Sequence, residues 1–411
     1  MTAATNPPSL VTLADIEAAR ERLQGVIKAT ATERSDTLSR MAGRPVSIKH
    51  EERQRTGSFK LRGAYNRIAA LDPGTRERGV VAASAGNHAQ GVALAATLVG
   101  VPSTIFMPET AAFPKVEATR SYGAEVRLVG TVVDETMDAA AAHAETTGAE
   151  LIHPFADRDV IAGQGTLGLE ILADAPDVET VVVPVGGGGL IAGVAAAIKA
   201  RRPGVRVVGV EAAGAAGMST SLVAGRPVVL DHVETMADGI AVKAVAESTL
   251  AHARAFVDDM VTVTEEQISG SLLLLLERLK TVVEPAGAAA LAAVLAGKAG
   301  GGPGAPVAVV LSGGNIDPLV LVRVVQHGLA ASGRYLLLRV PLPDRPGELA
   351  RLLDHVAAIG LNVIDVEHHR EGGDLSLNEV EVRLTLETRD PDHRAAVVTK
   401  LRERGYRAEQ L

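Results

Sequence analysis

The chain is 411 residues long, enough for two or three domains, and 47% hydrophobic, enough to build large cores. Aromatic residues make up only 2% with no Trp, so those cores are aliphatic. A formal net charge of -8 argues against a nucleic-acid or anionic-membrane surface, and the absence of Cys excludes disulfides, thiolate nucleophiles and zinc–thiolate sites.

In chain order, Met1 to Leu13 carries neither the basic patch nor the apolar core of a secretion signal. Thr12-Leu13-Ala14-Asp15 then predicts a helix start, with Thr12 as cap and Asp15 closing a capping box. Val46 to Lys49 is a short predicted strand leading to Thr56-Gly57-Ser58-Phe59-Lys60-Leu61-Arg62-Gly63-Ala64, which places Lys60 at a helix start after a Gly-Ser turn. From residue 80 strands and helices alternate: Val80 to Ala83, Ser103 to Met107, Glu125 to Val129 and Leu151 to His153 are predicted strands. Thr180 to Val185, Val205 to Val210 and Val307 to Leu311 are β-branched runs without alternation, as in strands buried on both faces. The pattern implies a parallel α/β sheet with ligands at the carboxyl ends of its strands. Leu272 to Leu276, the longest aliphatic run, is cut by Glu277 and Arg278 and is too short to span a bilayer. The expectation is a cytoplasmic protein.

Gly300-Gly301-Gly302 reads as a loop, since the strand-then-glycine pattern resumes after it, and the boundary is placed at Gly328 to Gly333. Beyond it, alternation in Leu336-Leu338-Val340 and Val380-Val382-Leu384-Leu386 flanks a helix with Leu349, Leu352, Leu353, Val356 and Ile359 on one face. A second helix follows Pro391 and a last strand begins near Tyr406. The order βαββαβ predicts a small α+β ferredoxin-like module.

Four stretches carry candidate chemistry. A lysine that forms a Schiff base must lose its proton, so it belongs on a fixed, partly desolvated element; the predicted helix start makes Lys60 a candidate, while taken alone a solvated lysine beside a core Phe59 is the commoner arrangement. Gly186-Gly187-Gly188-Gly189 joins a predicted buried strand to a helix beginning near Leu190, offering bare amides and a helix N-terminus to a phosphate. The same segment competes as a dinucleotide fingerprint, Gly187-x-Gly189-x-x-Ala192 with Glu211 as ribose acceptor. Ser84-Ala85-Gly86-Asn87-His88 sits at a strand-to-helix turn whose amides suit a carboxylate, and Glu284-Pro285-Ala286-Gly287 and Ser312-Gly313-Gly314-Asn315 are further turns.

Together these stretches, in this order over roughly residues 10 to 330, resemble the pyridoxal-phosphate enzymes of the tryptophan-synthase-β type (fold type II), specifically the threonine/serine dehydratases. The resemblance implies an α/β, two-subdomain, parallel-sheet catalytic domain over residues 1–332, its smaller subdomain roughly 46–150 inserted in the larger. It implies pyridoxal 5'-phosphate as cofactor, with Lys60 its covalent partner and the catalytic base, flanked by Phe59. By resemblance Gly186, Gly187, Gly188, Gly189 and Leu190 cradle the phosphate. Asn87 bonds the phenolic oxygen, Ser312 the pyridine nitrogen, and Gly239 and Glu284 lie near the ring. Ser84, Ala85, Gly86, Asn87 and His88 form the substrate-carboxylate turn. Asp238-Gly239-Ile240 and Gly163-Gln164-Gly165-Thr166 resemble the family's cofactor-side and substrate-side loops.

A hydroxyl at Ser312 cannot hold a pyridine nitrogen protonated as a carboxylate would, so a milder electron sink is expected, suited to expelling a β-hydroxyl. His50-Glu51-Glu52-Arg53-Gln54 is more charged than the family's usual approach to the lysine, which suggests altered local packing. Racemases of this group carry a hydroxyl where this chain has Ala85, so little racemase activity is expected. Ala212 to Gly217, after Glu211, lacks the further carboxylate with which some relatives bind a divalent cation, so no metal is expected.

Residues 333–411, with Asp344-Arg345-Pro346-Gly347 before the first helix and Gly360-Leu361-Asn362 before the second strand, resemble an ACT regulatory domain. Asp344, Pro346, Gly347 and Asn362 are the candidate effector contacts, and isoleucine or valine is the effector implied; oligomerisation alone is the rival role. The expected activity is conversion of L-threonine to 2-oxobutanoate and ammonia by a homodimer or homotetramer. The alternatives are a serine or hydroxyaspartate dehydratase and, from other classes, an NAD-dependent oxidoreductase or a non-catalytic amino-acid sensor.

Overall fold

The computed structural model describes residues 9–370 and 375–411, apart from the side chain of Val133. Residues 1–8 of the stretch tested for a secretion signal lie outside the described residues. Thr12 opens the first helix, Leu13–Leu23, as expected: its hydroxyl accepts from the Asp15 amide while the Asp15 carboxylate accepts from the Thr12 amide. Two compact units divide between Leu321 and Val322. Gly328, placed at the start of a domain junction by its composition, is buried inside the helix Pro318–Ala331.

Among the described residues the first unit holds ten strands: β1 (Thr32–Arg34), β2 (Val46–His50), β3 (Val80–Ala83), β4 (Ser103–Met107), β5 (Glu125–Leu128), β6 (Glu150–Leu151), β7 (Thr180–Pro184), β8 (Arg206–Ala212), β9 (Asp259–Val263) and β10 (Val307–Leu311). A large sheet runs β1-β2-β10-β7-β8-β9, every pair parallel except β1 with β2. A smaller, all-parallel sheet runs β5-β4-β3-β6. The fully buried runs of β7 and β10 are central in the large sheet, where helices cover both faces. Val46–His50 was expected in the smaller subdomain. Its register with β10, from Val46 opposite Val307 to His50 opposite Leu311, places it instead in the large sheet, so the smaller sheet begins at Val80.

Aliphatic side chains fill both cores, as the composition requires. Val181, Val183, Ile191, Val194 and Val207 pack in the larger, and Leu61, Ile68, Val92, Ile105 and Met107 in the smaller. Leu61 and Ile68 lie on the helix Lys60–Ala69, so burying its apolar stripe fixes the element that carries Lys60.

The second unit contains β11 (Tyr335–Pro343), the helix Glu348–Ala358, β12 (Val363–His369), β13 (Glu379–Glu387), the helix Pro391–Glu403 and β14 (Glu409–Gln410). This is the expected βαββαβ order, with an antiparallel sheet β12-β13-β11-β14. The last strand is two residues long and starts later than Tyr406. Leu336, Leu338 and Val340 with Val382, Leu384 and Leu386 turn one face inward against Leu352, Val356 and Val397, a core of its own. Among the described residues no helix is long and apolar enough to cross a membrane.

Candidate active site

The turn before Lys60 is stitched to the carboxyl end of β10. Gly57 has φ +71°, and an added Cβ would overlap the Asn315 side chain, so only glycine fits there. The Phe59 amide donates to the Ser312 carbonyl at 3.1 Å, the Gly314 amide donates to the Gly57 carbonyl at 2.8 Å, and Ser58 forms a bridge with Gly313. Lys60 opens its helix, and its Nζ donates to the Pro154 carbonyl at 2.9 Å while lying 5.2 Å from the Phe59 ring centroid. Burial pushes its pKa down to about 8, against a smaller upward pull from Glu284.

Asn87 is the first residue of the helix Asn87–Val99 in the smaller subdomain, and its Nδ2 donates to Glu284 Oε1 at 2.7 Å. Glu284 caps the helix Pro285–Leu295 of the larger subdomain; burial pushes its pKa up to about 7. Asn315 Nδ2 donates to Asn87 Oδ1 at 2.8 Å and to the Thr56 carbonyl at 2.7 Å. A Cβ at Gly239 would lie 3.5 Å from Glu284 Oε1, so this loop closes on the same carboxyl.

The glycine loop leaves β7 and enters the helix Gly189–Arg201. Gly188 has φ +88°, a Cβ at Gly187 would overlap the Phe155 ring, and one at Gly189 would come within 2.8 Å of Phe155 Cα. Bare amides at a helix N-terminus suit a phosphate dianion. The lysine turn is bonded to Ser312 through the Phe59 amide and to Asn87 through Asn315, and the Pro154-Phe155 segment runs from Lys60 Nζ to this cradle. That donor set fits pyridoxal phosphate.

At the remaining predicted positions, the Gly86 amide donates to Ser84 Oγ at 3.1 Å and Ala85 is half-buried. His88 is buried, with Nε2 2.8 Å from the Ile152 carbonyl, and burial with the charge of Lys60 pushes its pKa down to about 3. Leu190 is buried in the larger core. Asp344, Pro346, Gly347 and Asn362 lie in the second unit, where Gly347 precedes the helix Glu348–Ala358 with φ +91°.

Two readings are corrected. Gly163-Gln164-Gly165-Thr166 is no loop: it is buried within the helix Arg158–Asp174. A Cβ at Gly163 would lie 2.6 Å from the Arg62 carbonyl and one at Gly165 2.9 Å from the Gly193 carbonyl, so these glycines serve close helix packing. Glu211 does not stand ready for a ribose. Its carboxylate accepts from the Met218 amide at 2.6 Å and the Ser219 amide at 3.0 Å, at the start of the helix Gly217–Ala224, which removes the basis of the NAD reading.

No local motif marks Pro154, Phe155 or the buried ions around Arg62, and Asn315 stands in the sequence only as part of a turn. The Arg62 guanidinium donates to both Glu51 oxygens at 2.7 and 2.8 Å, to Glu170 at 2.6 and 2.8 Å, and to Thr166 at 3.1 Å. Lys49 Nζ lies 2.6 Å from Glu170. Burial pushes Glu51 up, but Arg62, joined by the Thr30 hydroxyl and Lys49, outweighs it and holds the carboxyl below its usual range. The charged approach to the lysine therefore supplies one partner of a buried clamp on its helix. Among the described residues no cluster of His, Cys, Asp and Glu is placed to hold a metal ion.

A family model described as "Pyridoxal-phosphate dependent enzyme" matches residues 23–313. The L-threonine ammonia-lyase of Thermotoga maritima is 48% identical over 397 residues, 97% of this chain and 98% of that protein. The processed form of threonine deaminase isoform 2 from Solanum lycopersicum superposes with TM-score 0.73 at 37% identity, covering 80% of this chain and 99% of that one. Maize serine racemase superposes with TM-score 0.74 at 36% identity, covering 77% of this chain and 97% of that one. The chain belongs to the pyridoxal-phosphate dependent enzyme family.

Proposed function

We propose that the protein is a threonine ammonia-lyase, converting L-threonine to 2-oxobutanoate and ammonia and L-serine to pyruvate by the same route. The observation that carries this is 48% identity over 97% of the chain to an L-threonine ammonia-lyase, joined to a desolvated lysine beside a glycine cradle.

Pyridoxal phosphate, when bound, supplies the electron sink that lets the substrate's α-proton leave. Lys60 would hold it covalently, and its Nζ would be the base that takes the substrate's α-proton. A pKa lowered to about 8 leaves far more of this amine unprotonated near neutral pH than in an ordinary lysine. The amides of Gly186 to Gly189 would hold the phosphate, with Leu190 buried in the first turn of the helix behind them. Ser312 would hold the pyridine nitrogen and Asn87 the phenolic oxygen, with Phe59, Gly239 and Glu284 near the ring. The turn Ser84 to His88 orients the substrate carboxylate at a helix N-terminus. Loss of the β-hydroxyl as water then gives an enamine, which on release takes up water and yields the 2-oxo acid and ammonia. Ala85 offers no hydroxyl to return a proton to the opposite face, which favours elimination over racemisation.

The second unit serves as an ACT regulatory domain binding isoleucine or valine at the loop of Asp344, Pro346 and Gly347 and at Asn362, in a cytoplasmic homodimer or homotetramer. The test of the activity is a 2-oxo acid assay on cofactor-loaded protein with L-threonine, L-serine and 3-hydroxyaspartate. Fastest turnover of threonine supports the proposal; turnover confined to 3-hydroxyaspartate overturns it.

A further inference from the structure

The segment His153-Pro154-Phe155-Ala156, between β6 and the helix Arg158–Asp174, reaches both halves of the site. The Pro154 carbonyl accepts from Lys60 Nζ at 2.9 Å, and Phe155 lies against the cradle, its ring at Gly187 and its Cα and Cβ at Gly189. Proline brings no amide hydrogen, so the next donors in this turn are the Phe155 and Ala156 amides. Both go to one atom, His153 Nδ1, at 3.2 and 2.9 Å. The imidazole also packs edge-on against the Phe155 ring, with centroids 4.6 Å apart. On the far side, the Ala156 carbonyl accepts from Ser248 Oγ at 2.9 Å, and Asp157 accepts from the Asp159 and Val160 amides at 2.7 and 3.0 Å.

We propose that His153 is a positioning residue whose Nδ1 lone pair templates the turn that presents the Pro154 carbonyl to Lys60 and Phe155 to the glycine cradle. This rests on the reading of Lys60 and the cradle as the cofactor site. An acceptor at Nδ1 requires a neutral ring with its proton on Nε2. The surroundings favour that form: burial and the charge of Lys60 push the His153 pKa down to about 4, against a smaller pull from Asp157. Protonating Nδ1 would set three donors facing one another and open the turn.

The role is separable from mere bulk, because asparagine carries an acceptor oxygen at the same position along its side chain as Nδ1, in the geometry of an Asx turn. His153→Asn keeps the acceptor, while His153→Leu keeps volume and loses it. Expected for His153→Leu are faster hydrogen exchange at the Phe155 and Ala156 amides in the cofactor-free protein and about a tenfold weaker affinity for pyridoxal phosphate. In His153→Asn both return to within about twofold of wild type. Equal exchange protection in all three proteins, or an asparagine variant as impaired as the leucine one, overturns the proposal. Nitrogen-15 spectra of the wild-type histidines near neutral pH provide the second measurement if the leucine variant does not fold. An unprotonated Nδ1 on His153 supports the template, and a protonated Nδ1 overturns it. Exchange and tautomer are read without turnover, so a wrong substrate assignment leaves this test standing.

Discussion

The Asn87 amide donates to the Glu284 carboxyl at 2.7 Å, joining the first turn of a smaller-subdomain helix to the cap of a larger-subdomain helix. The pair therefore spans the two sheets of the first unit, with Asn315 holding Asn87 in place from the end of β10.

Glu284 makes this link pH-sensitive. Its folded-state pKa is raised to about 7 by burial, above the ordinary 4.5 of a free carboxyl. Below the ordinary value its contribution to stability is fully present, and it is lost as pH rises through about 7. The difference in melting temperature between the cofactor-free wild type and Glu284→Gln should therefore shift against the wild type from about pH 5 to about pH 8. A difference independent of pH would show that Glu284 is ionised throughout. His88 and His153 act in the opposite sense, since their depressed pKa values cost stability as pH falls below the ordinary 6.5. That background is common to both proteins and cancels in the difference.

Arg62 to Glu51 is the strongest candidate for a single buried ion pair on which the lysine helix depends. Both residues are 0% exposed, and removing one partner leaves the other charged and buried. Arg62→Met should lower unfolding free energy by roughly 3–5 kcal/mol in a denaturant titration, and Arg62→Met with Glu51→Met together by less than the sum of the two single changes. A single-variant loss below about 0.5 kcal/mol would mean that the clamp is not structural.

Some elements of the fold stand out in the sequence and others do not. β7 and β10 were legible because an uninterrupted β-branched run is what a strand covered on both faces requires. β1, with its half-polar Thr32-Glu33-Arg34, and β9, opening on Asp259, escaped notice because their pattern is that of exposed edges. Gly163 and Gly165 were misread as loop because composition cannot distinguish a glycine that bends the chain from one that lets helices touch. In the site, Lys60 and Gly186 to Gly189 announce themselves by local motif. Pro154 acts through a backbone carbonyl, which leaves no compositional trace. Arg62 meets Glu170 across 108 positions of chain, a pairing no local window contains.

Residues 333–411 have their own apolar core, and every position assigned to the cofactor lies at or before Ser312. Truncation after Ser332 should leave threonine turnover and erase any response to isoleucine or valine, because an effector acts only by favouring one arrangement of the protein over another. Titrating both amino acids against full-length and truncated enzyme checks this. A truncated enzyme that remains fully regulated would place the effector site in the first unit.

The lysine that holds the cofactor defines the whole site. Borohydride reduction of the loaded enzyme, followed by mass mapping of its peptides, reads this directly. The expected result is a pyridoxyl phosphate adduct on the peptide containing Lys60, with loss of violet absorbance and of threonine turnover. An adduct on another lysine, or none, would contradict the assignment of Lys60 and the site built around it.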